Sequence, residues 1–268
     1  MGAAVGARLV QHGLTVLTTL DGRSTSSCQR ASEAGLVSVI DAELARCDLL
    51  LSIVPPAAAE PFARHIATLL AGAPRKPLFV DCNAVSPATV QRIATILMSS
   101  GIDVADAGII GGPPAAGYAG PLFYVCGQHA ARFEALANFG LEVRLLEGPI
   151  GAASALKMSY AGITKGVVAM GTVMLLAAHR AGVAEALYRE LSESQAGLLA
   201  GFQRSIPGMS AKAYRWVAEM QEIATFARED AAAWDLFQAA ADLYERMAQD
   251  VRGSGEQAKL LRQLLAAK

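Results

Sequence analysis

The sequence predicts a Rossmann-like α/β domain, built on a doubly wound parallel sheet, followed by an all-helical domain. Up to about residue 148, short runs rich in Val, Leu, Ile and Phe alternate with helical stretches. Apolar runs of this kind, separated by helices, are typical of a parallel sheet covered on both faces. No candidate strand follows residue 150, so we expect the chain to divide into domains at 1–148 and 149–268.

The individual elements follow from local patterns of apolar and turn-forming residues. The predicted strands are 14–20, 48–54, 77–82 and 103–109. The predicted helices of the second half are 151–181, about 184–203, about 210–228, 230–251 and 255–267, separated by segments that contain Gly or Pro. One further amphipathic helix is predicted at the start of the chain, ending near Gly13.

Composition excludes several classes of partner. The 268 residues have a formal net charge of -1 and no basic run, which argues against nucleic acid and against a membrane surface as partners. The cysteines show no CxxC spacing and the histidines are isolated, so neither a disulfide framework nor a metal site is expected. We therefore expect a cytoplasmic protein that acts on a small molecule. The apolar stretch 161–178 carries Lys165 and is expected to be a buried helix rather than a membrane span.

The first predicted helix begins at the very start of the sequence. Dinucleotide-binding folds place a glycine-rich turn between the first strand and the first helix, where backbone N–H groups meet the pyrophosphate. Met1 and Gly2 would be the last two residues of such a turn, and the strand before it is absent from the sequence. Two interpretations remain open: the true start lies upstream of Met1, or the protein is a truncated form that has lost its cofactor. We favour the first, because a sheet without that strand exposes apolar faces of its neighbours.

Turn-forming residues follow the predicted strands, at the edge of the sheet where doubly wound folds bind ligands. The second strand ends at Val54-Pro55, the third runs into Asn83, and the fourth runs into Gly111-Gly112. Each of these segments, taken alone, is also typical of an ordinary turn. Together they place the candidate binding residues at one edge of the predicted sheet.

Five segments together resemble a known family. They are MGAAVGARL, DLLLSIVPP, VDCNAVSP, DAGIIGGPP and GPIGAASALKMSYAGITKG. They are similar to the glycine turn, cofactor-lining strand, D-x-S/N-T-x-x-P element, substrate loop and interdomain helix of the β-hydroxyacid dehydrogenase superfamily, which includes the 6-phosphogluconate dehydrogenases. Within it, ALKMSYAGITKG and RWVAEMQEIA look most like a bacterial phosphogluconate-dehydrogenase-like branch. The resemblance implies that residues 1–148 bind NAD(P) and that residues 149–268 bind substrate and form a homodimer.

The resemblance assigns the central role to Lys157. In the family, a lysine at this position donates and accepts the proton beside the nicotinamide. The small or apolar neighbours of Lys157 favour that role over that of an exposed helix lysine. Two departures put the usual small 3-hydroxy acids in doubt: Ala161 stands where the family has an asparagine, and Ile110 where it has a serine of the substrate loop. We therefore expect a different or bulkier substrate.

Other residues are expected to contact the substrate. These candidates are Asn83, Gly111, Gly112, Tyr160, Thr164 and Lys165. Tyr160 and Thr164 lie three and seven residues after Lys157, on nearly the same helix face, and could supply the polar group that position 161 lacks. A turn cap for Asn83 and an interhelical ion pair for Lys165 are equally open alternatives.

A second set of residues is expected to contact the cofactor. These candidates are Met1, Gly2, Asp21, Arg23, Ser24, Val54, Pro55 and Asn83. Asp21 stands where an acidic residue holds the ribose hydroxyls of NAD. Arg23 and Ser24 favour the 2′-phosphate of NADP, because arginine binds phosphate through a planar fork. The loop that holds these three residues slightly favours NADP.

These expectations lead to one function and two alternatives. We expect a hydride transfer between the nicotinamide and a hydroxy acid, or a related carbonyl or alcohol, with Lys157 moving the proton. An imine reductase on the same fold is the first alternative, against which Lys157 counts because those enzymes carry other proton donors there. The second is a non-catalytic nucleotide-binding or scaffold protein, since the missing strand, Ala161 and Ile110 depart from the family pattern.

Overall fold

The structure, a computed structural model, describes residues 1–266. Its α-helices are α1 (Gly2–Gln11), α2 (Thr25–Glu33), α3 (Pro56–Leu69), α4 (Pro87–Ser99), α5 (Ala130–Glu134), α6 (Ala152–Arg180), α7 (Ala184–Ser194), α8 (Ala196–Ser205), α9 (Ala213–Phe226), α10 (Ala231–Arg252) and α11 (Glu256–Leu265). Its strands are β1 (Leu17–Thr18), β2 (Val37–Ser38), β3 (Leu49–Ser52), β4 (Leu78–Asp81), β5 (Val104–Ile110), β6 (Leu122–Cys126) and β7 (Glu142–Leu145). The ends of the predicted helix 255–267 and of the predicted domain 149–268 lie outside the described residues.

Contacts divide the chain into two compact units, Met1–Met158 and Ser159–Lys268. The first unit holds all the described strands and helices α1 to α5, and the second holds α7 to α11. Helix α6 begins in the first unit, because its first turns pack against β5, and the division therefore lies later than the predicted one at 148. The predicted order of an α/β domain before an all-helical one is confirmed.

The first unit contains two sheets. Strands β3, β4, β5, β6 and β7 form the larger sheet in that order, and β1 pairs with β2 in a parallel sheet of two strands. Within residues 1–266 no strand is hydrogen-bonded to both β1 and β3. In a doubly wound sheet the first strand lies between two such halves, and the described residues place no strand at that position.

The predicted parallel sheet is confirmed for the predicted strands, and one strand that was not predicted, β6, pairs in the opposite direction. β3, β4 and β5 run parallel, but β6 runs antiparallel to β5, and β7 is again parallel to β6. The connection between β5 and β6 is a loop without a helix, and a parallel pair needs a longer crossover. Strands β2, β6 and β7 have no counterpart among the predicted strands.

Strand β4 is buried along its whole length, and its alternate side chains contribute to two separate cores. Leu78 and Val80 pack on one face with residues of α1 and α5, whereas Phe79 packs on the other face with α3 and α4. Ser86 begins α4 as its N-cap, and its hydroxyl accepts the N–H of Thr89 at 3.3 Å. Helices therefore cover both faces of the sheet, as a doubly wound fold requires.

The second unit is helical throughout its described part. Helices α9 and α10 pack closely, and α10 is capped by Asp230, whose carboxylate accepts the N–H groups of Ala232 and Ala233. The predicted helix 184–203 is divided at Gln195 into α7 and α8.

Among the described residues, α6 is the one helix long and apolar enough to cross a membrane. Its best window has a mean hydropathy of 1.6 and is half buried, and core helices of globular proteins meet the same criteria.

Candidate active site

Lys157 lies in the second turn of α6, on the side of the helix that packs against β5. Strand β5 has a glycine at position 108, and a Cβ placed there would lie 2.7 Å from the Ala153 carbonyl oxygen and 3.2 Å from the Lys157 Cβ. Only glycine permits such a close approach of helix and strand. The Lys157 side chain is half-buried at this contact. The strand therefore sets the position from which the Lys157 side chain extends.

Asp106 of β5 binds the start of α6. Its carboxylate is fully buried and accepts hydrogen bonds from the Gly151 N–H at 2.9 Å, the Ser154 N–H at 3.0 Å and the Ser154 hydroxyl at 2.7 Å. The first N–H groups of a helix have no partner within it, and a carboxylate also suits the positive end of the helix dipole. Burial raises the pKa of Asp106, and these hydrogen bonds offset part of the increase.

Cys126 is buried beside Asp106 and contacts the same segment. Its sulfur lies 3.5 Å from the Asp106 carboxylate and 3.3 Å from the Pro149 carbonyl oxygen, and it accepts the Ala153 N–H at 3.2 Å. Burial raises the pKa of the Cys126 thiol to about 11, and the nearby charge of Asp106 adds to the increase. The thiol is therefore protonated at neutral pH and acts as a hydrogen-bond donor rather than as a nucleophile.

Asn83 follows β4, and its side chain is engaged within the protein. Its amide oxygen accepts the Val54 N–H at 2.7 Å, and its NH2 group donates to the Ser52 hydroxyl and the Asp81 carboxylate, both at 2.9 Å. Asn83, Asp81 and Ser52 are all buried. The network joins the end of β3 to the end of β4, so Asn83 fixes the Val54-Pro55 segment. These hydrogen bonds run to the ends of β3 and β4 and not to the turn before Ser86, so the turn cap considered for Asn83 stays a prediction.

Gly111 and Gly112 begin the loop between β5 and β6. Gly111 has a φ of 124°, and a Cβ there would overlap the Tyr118 hydroxyl, so this position requires glycine. Gly112 has open space around it. The guanidinium of Arg8, on α1, donates to the carbonyl oxygens of Ala115, Tyr118 and Ala119 at 2.8 to 3.2 Å. Helix α1 therefore holds the predicted substrate loop in place.

The remaining substrate candidates lie further along α6, in the helical unit. Tyr160 and Thr164 are exposed, and the Thr164 hydroxyl donates to the Tyr160 carbonyl oxygen at 2.8 Å. Lys165 forms an ion pair with Glu219 of α9, and its ammonium lies 5.2 Å from the centroid of the Trp216 ring. Both charged side chains are largely buried. The interhelical ion pair considered for Lys165 is thus present.

The start of α1 lies beside the end of β3. A Cβ placed on Gly2 would lie 3.7 Å from both the Cβ and the carbonyl oxygen of Ile53, which directly precedes Val54 and Pro55. Within the described residues, Met1 is the N-cap of α1 without a side-chain cap bond, and the first turn holds no acidic residue. Backbone N–H groups at a helix start favour an anion such as a pyrophosphate. This donor set fits a dinucleotide cofactor.

Asp21, Arg23 and Ser24 lie in the loop between β1 and α2. The Ser24 hydroxyl caps α2 by accepting a first-turn N–H at 3.3 Å. Asp21 lines a cleft beyond the carboxyl ends of β1 and β2, together with Asp41 and Glu43. The loop therefore combines a cation, a helix start and a carboxylate, which is the chemistry expected around a ribose and its phosphate.

Five residues of this region were missed by the sequence analysis as site residues: Arg8, Asp106, Gly108, Tyr118 and Ser154. Asp106 and Gly108 stand in the segment DAGIIGG, and their spacing of two in a strand puts them on one face. That alternation was the signal that could have found them. No local sequence pattern identifies Arg8, because its loop partners lie more than a hundred residues away.

Among residues 1–266, no group of His, Cys, Asp and Glu side chains could hold a metal ion.

Comparison with known proteins relates both parts of the chain to families. Residues 1–140 match the family described as the NAD binding domain of 6-phosphogluconate dehydrogenase. Residues 178–247 match a domain of unknown function, DUF1932. An uncharacterised 28.5 kDa protein of Methanothermus fervidus is 26% identical over 183 residues, which are 67% of this chain and 68% of that protein.

Solved structures share the fold. A conserved protein with structural similarity to 3-hydroxyacid dehydrogenases is 25% identical, with a TM-score of 0.68 over 96% of this chain and 95% of that one. The 3-hydroxyisobutyrate dehydrogenase of Mycobacterium tuberculosis is 21% identical, with a TM-score of 0.69 over 98% and 95%. An imine reductase of Myxococcus stipitatus is 19% identical, with a TM-score of 0.58 over 99% and 96%.

The fold and the match to a NAD binding domain are those of nicotinamide-dependent dehydrogenases. The chain belongs to the family of 6-phosphogluconate dehydrogenase NAD-binding domains, as the match over residues 1–140 shows. The predicted resemblance to this superfamily and the expectation of a nicotinamide cofactor are thereby confirmed.

Proposed function

We propose that the protein transfers a hydride between a nicotinamide cofactor and a carbonyl or alcohol carbon, with Lys157 as the general acid and base. The observation that carries the proposal is the position of Lys157, which lies against Gly108 of β5 in a chain whose first 140 residues match a nicotinamide-binding family. In the reduction, the ammonium of Lys157 donates a proton to the substrate oxygen, and in the oxidation its amine accepts that proton. The cofactor supplies or accepts the hydride.

Other residues of the chain bind and orient. The first-turn N–H groups of α1 are proposed to hold the pyrophosphate, and the Val54-Pro55 segment to line the nicotinamide side. Gly112 leaves room for the substrate beside the backbone of the loop, whereas the space beside Gly111 is taken by Tyr118 and Pro121. Because Ala161 and Ile110 lack hydrogen-bonding groups, we infer that the substrate is bulkier or less polar than a small 3-hydroxy acid.

A panel of keto acids, aldehydes and imines, assayed by the loss of NADPH or NADH absorbance, tests the reaction and its alternative together. The Lys157→Ala variant should lower kcat about 10²- to 10⁴-fold on the substrate that turns over, which is the usual contribution of a general acid. Lys259→Ala, which removes an exposed lysine of α11, is the matched control and should keep full activity. Full turnover by Lys157→Ala would contradict the proposal, and turnover of imines alone would favour imine reduction.

We further infer that NADP is the preferred cofactor, because Arg23 stands directly before the helix start capped by Ser24. Arg23→Ala should weaken NADP binding about 10- to 100-fold, the loss of one charge-assisted contact, with a much smaller effect on NAD. Asp21→Asn should strengthen NADP binding, since it removes a carboxylate from the same loop. Calorimetric titration with both cofactors measures these changes, with Arg64→Ala on α3 as the control. An equal loss for both cofactors would rule out a 2′-phosphate contact.

We also propose a homodimer, on the basis of an apolar stripe on α6 formed by Ile163, Val167, Met170 and Met174. These side chains are 41 to 70% exposed. They recur at spacings of four, three and four residues, so they lie on one helix face about 16 Å long. The stripe contains no charged residue and is therefore suited to a symmetric contact with its own copy, in which the same patch serves both partners.

A further inference from the structure

The contact between β5 and α6 involves two neighbouring residues on one face of the strand. Asp106 and Gly108 stand two positions apart in β5, so they lie on the same face of the strand. Asp106 accepts the N–H groups of Gly151 and Ser154, and Gly108 lies against Ala153 and Lys157. One contact alone would let the helix rotate about its axis. The two together fix both the axial position and the rotation of its first turns.

The bonds from Asp106 differ from the other helix caps in the chain. Ser24, Ser86 and Asp230 each cap the helix that they directly precede. Such a local cap stabilises a helix without fixing it to a second element. Asp106 lies 45 and 48 residues before the amides that it accepts, and it belongs to a strand of the central sheet. Its hydrogen bonds therefore join the helix to the sheet.

The stability of the fold does not explain why a carboxylate stands at position 106. Taking a charged group out of water is costly, and an apolar side chain of similar size would fill the same space without that cost. The hydrogen bonds of Asp106, unlike apolar contacts, depend on direction. Orientation of the helix is therefore the property that this buried carboxylate supplies.

We propose that Asp106, together with Ser154, is a positioning residue that orients Lys157 through the first turn of α6. This inference rests on the proposed role of Lys157. The Cα atoms of a helix lie about 2.3 Å from its axis, so a rotation of about 30° moves the Lys157 Cα by about 1 Å. A misplacement of that size can lower the rate of a catalysed reaction about 10²-fold.

Two variants separate orientation from charge. Asp106→Ala removes the carboxylate oxygens that accept hydrogen bonds from Gly151 and Ser154. We expect kcat to fall about 10- to 100-fold while KM changes less than about threefold. Asp106→Asn keeps an amide oxygen toward the two N–H groups, and the Ser154 hydroxyl can turn to accept from the amide NH2. This variant should therefore recover most of the activity. An Asn variant as impaired as the Ala variant would show that charge matters, and would overturn the positioning role.

A second readout needs no substrate. A small acylating reagent labels lysines at rates that depend on their surroundings, and mass spectrometry follows each lysine across a pH series. In Asp106→Ala, the labelling rate of Lys157 should change at least about threefold while that of the exposed Lys259 stays constant. Asp230→Ala removes a comparable carboxylate cap from α10 and should change neither.

The outcomes are distinguishable. An unchanged Lys157 labelling profile in folded Asp106→Ala, or an equal change in Asp230→Ala, would overturn the proposal. Should Asp106→Ala fail to fold, Asp106→Ser, whose shorter side chain cannot reach both the Gly151 and the Ser154 N–H groups, carries the same test, and an unchanged profile there refutes the proposal equally. If Lys157→Ala retains full turnover, the proposed function fails, and the labelling profile still decides whether Asp106 orients Lys157.

Discussion

Gly108 and Lys157 are in a contact that only glycine permits, since a Cβ at position 108 would lie 3.2 Å from the Lys157 Cβ and 2.7 Å from the Ala153 carbonyl oxygen. Because the second atom belongs to the backbone, the helix itself must shift to admit a methyl group. We expect Gly108→Ala to lower the free energy of unfolding by about 1–3 kcal/mol, the usual cost of overpacking, and to lower kcat. Urea denaturation and steady-state kinetics measure the two effects.

Gly72→Ala is the matched control, because nothing lies within 4 Å of a Cβ built there. Its free energy of unfolding should change by less than about 0.5 kcal/mol. If Gly108→Ala were as stable and active as the parent chain, the close approach of β5 to α6 would not restrict this position.

Arg8 is expected to order the substrate loop. Its guanidinium donates to the carbonyl oxygens of Ala115, Tyr118, Ala119 and Gly140, and a lysine has neither the planar fork nor enough donors for this set. We therefore expect Arg8→Lys to increase hydrogen exchange over residues 111–120 and to raise KM for the substrate. Arg64→Lys, in an ion pair with Glu60 on the surface of α3, should affect neither. Unchanged exchange in Arg8→Lys would mean that the loop is ordered without this contact.

The alternation of apolar runs with helical stretches predicted the architecture, because the strands of the larger sheet that it marks are apolar and mostly buried. β3, β4 and β5 lie within three of the four predicted runs, give or take one residue, and α6 lies within one residue of its predicted bounds. β2 has two residues, both exposed, so it offers no apolar pattern to read. The direction of β6 depends on the loop before it, which contains no crossover helix.

The sequence predicted only those residues of the candidate site that stand in a recognisable motif. Lys157, Gly111 and the Val54-Pro55 segment stand at positions that a motif marks. Asp106 also stands in a motif, but its partners Gly151 and Ser154 come together with it only in the folded chain. A pairing across 45 residues or more leaves no local pattern, and burial of a carboxylate runs against the average preference of that residue type.

The Cys126 thiol should make stability depend on pH in the alkaline range. Its pKa is raised by burial to about 11 in the folded protein, so between about pH 9 and 11 the unfolded chain loses this proton while the folded one keeps it. The unfolded state then binds fewer protons, and the free energy of unfolding falls as pH rises. The parent chain should lose up to about 2 kcal/mol more than Cys126→Ser over this window. Cys28→Ser, at a less buried cysteine, is the control, and parallel curves for all three proteins would contradict the prediction.

The Lys165–Glu219 ion pair is expected to be a structural element of the helical unit. Both side chains are largely buried, so Lys165→Met removes the cation beside a buried carboxylate and should lower the free energy of unfolding by about 3–5 kcal/mol. Replacing both residues, as Lys165→Met with Glu219→Leu, should recover most of that loss. The exposed pair of Arg46 with Glu43 gives the control, and Arg46→Met should cost less than about 1 kcal/mol. A loss of substrate affinity without a loss of stability would instead assign Lys165 to substrate binding.

The apolar stripe on α6 is expected to be the contact between two copies of the chain. Met170 is 63% exposed, so Met170→Lys leaves the fold intact but places two ammonium groups against each other or against apolar side chains in a symmetric dimer. Light scattering coupled to size exclusion should give the mass of a dimer for the parent chain and of a monomer for Met170→Lys. Tyr214→Lys, at an exposed aromatic residue of α9 outside the stripe, should remain dimeric. A parent chain that is monomeric, or that floats with lipid vesicles through this helix, would show that the stripe has another partner.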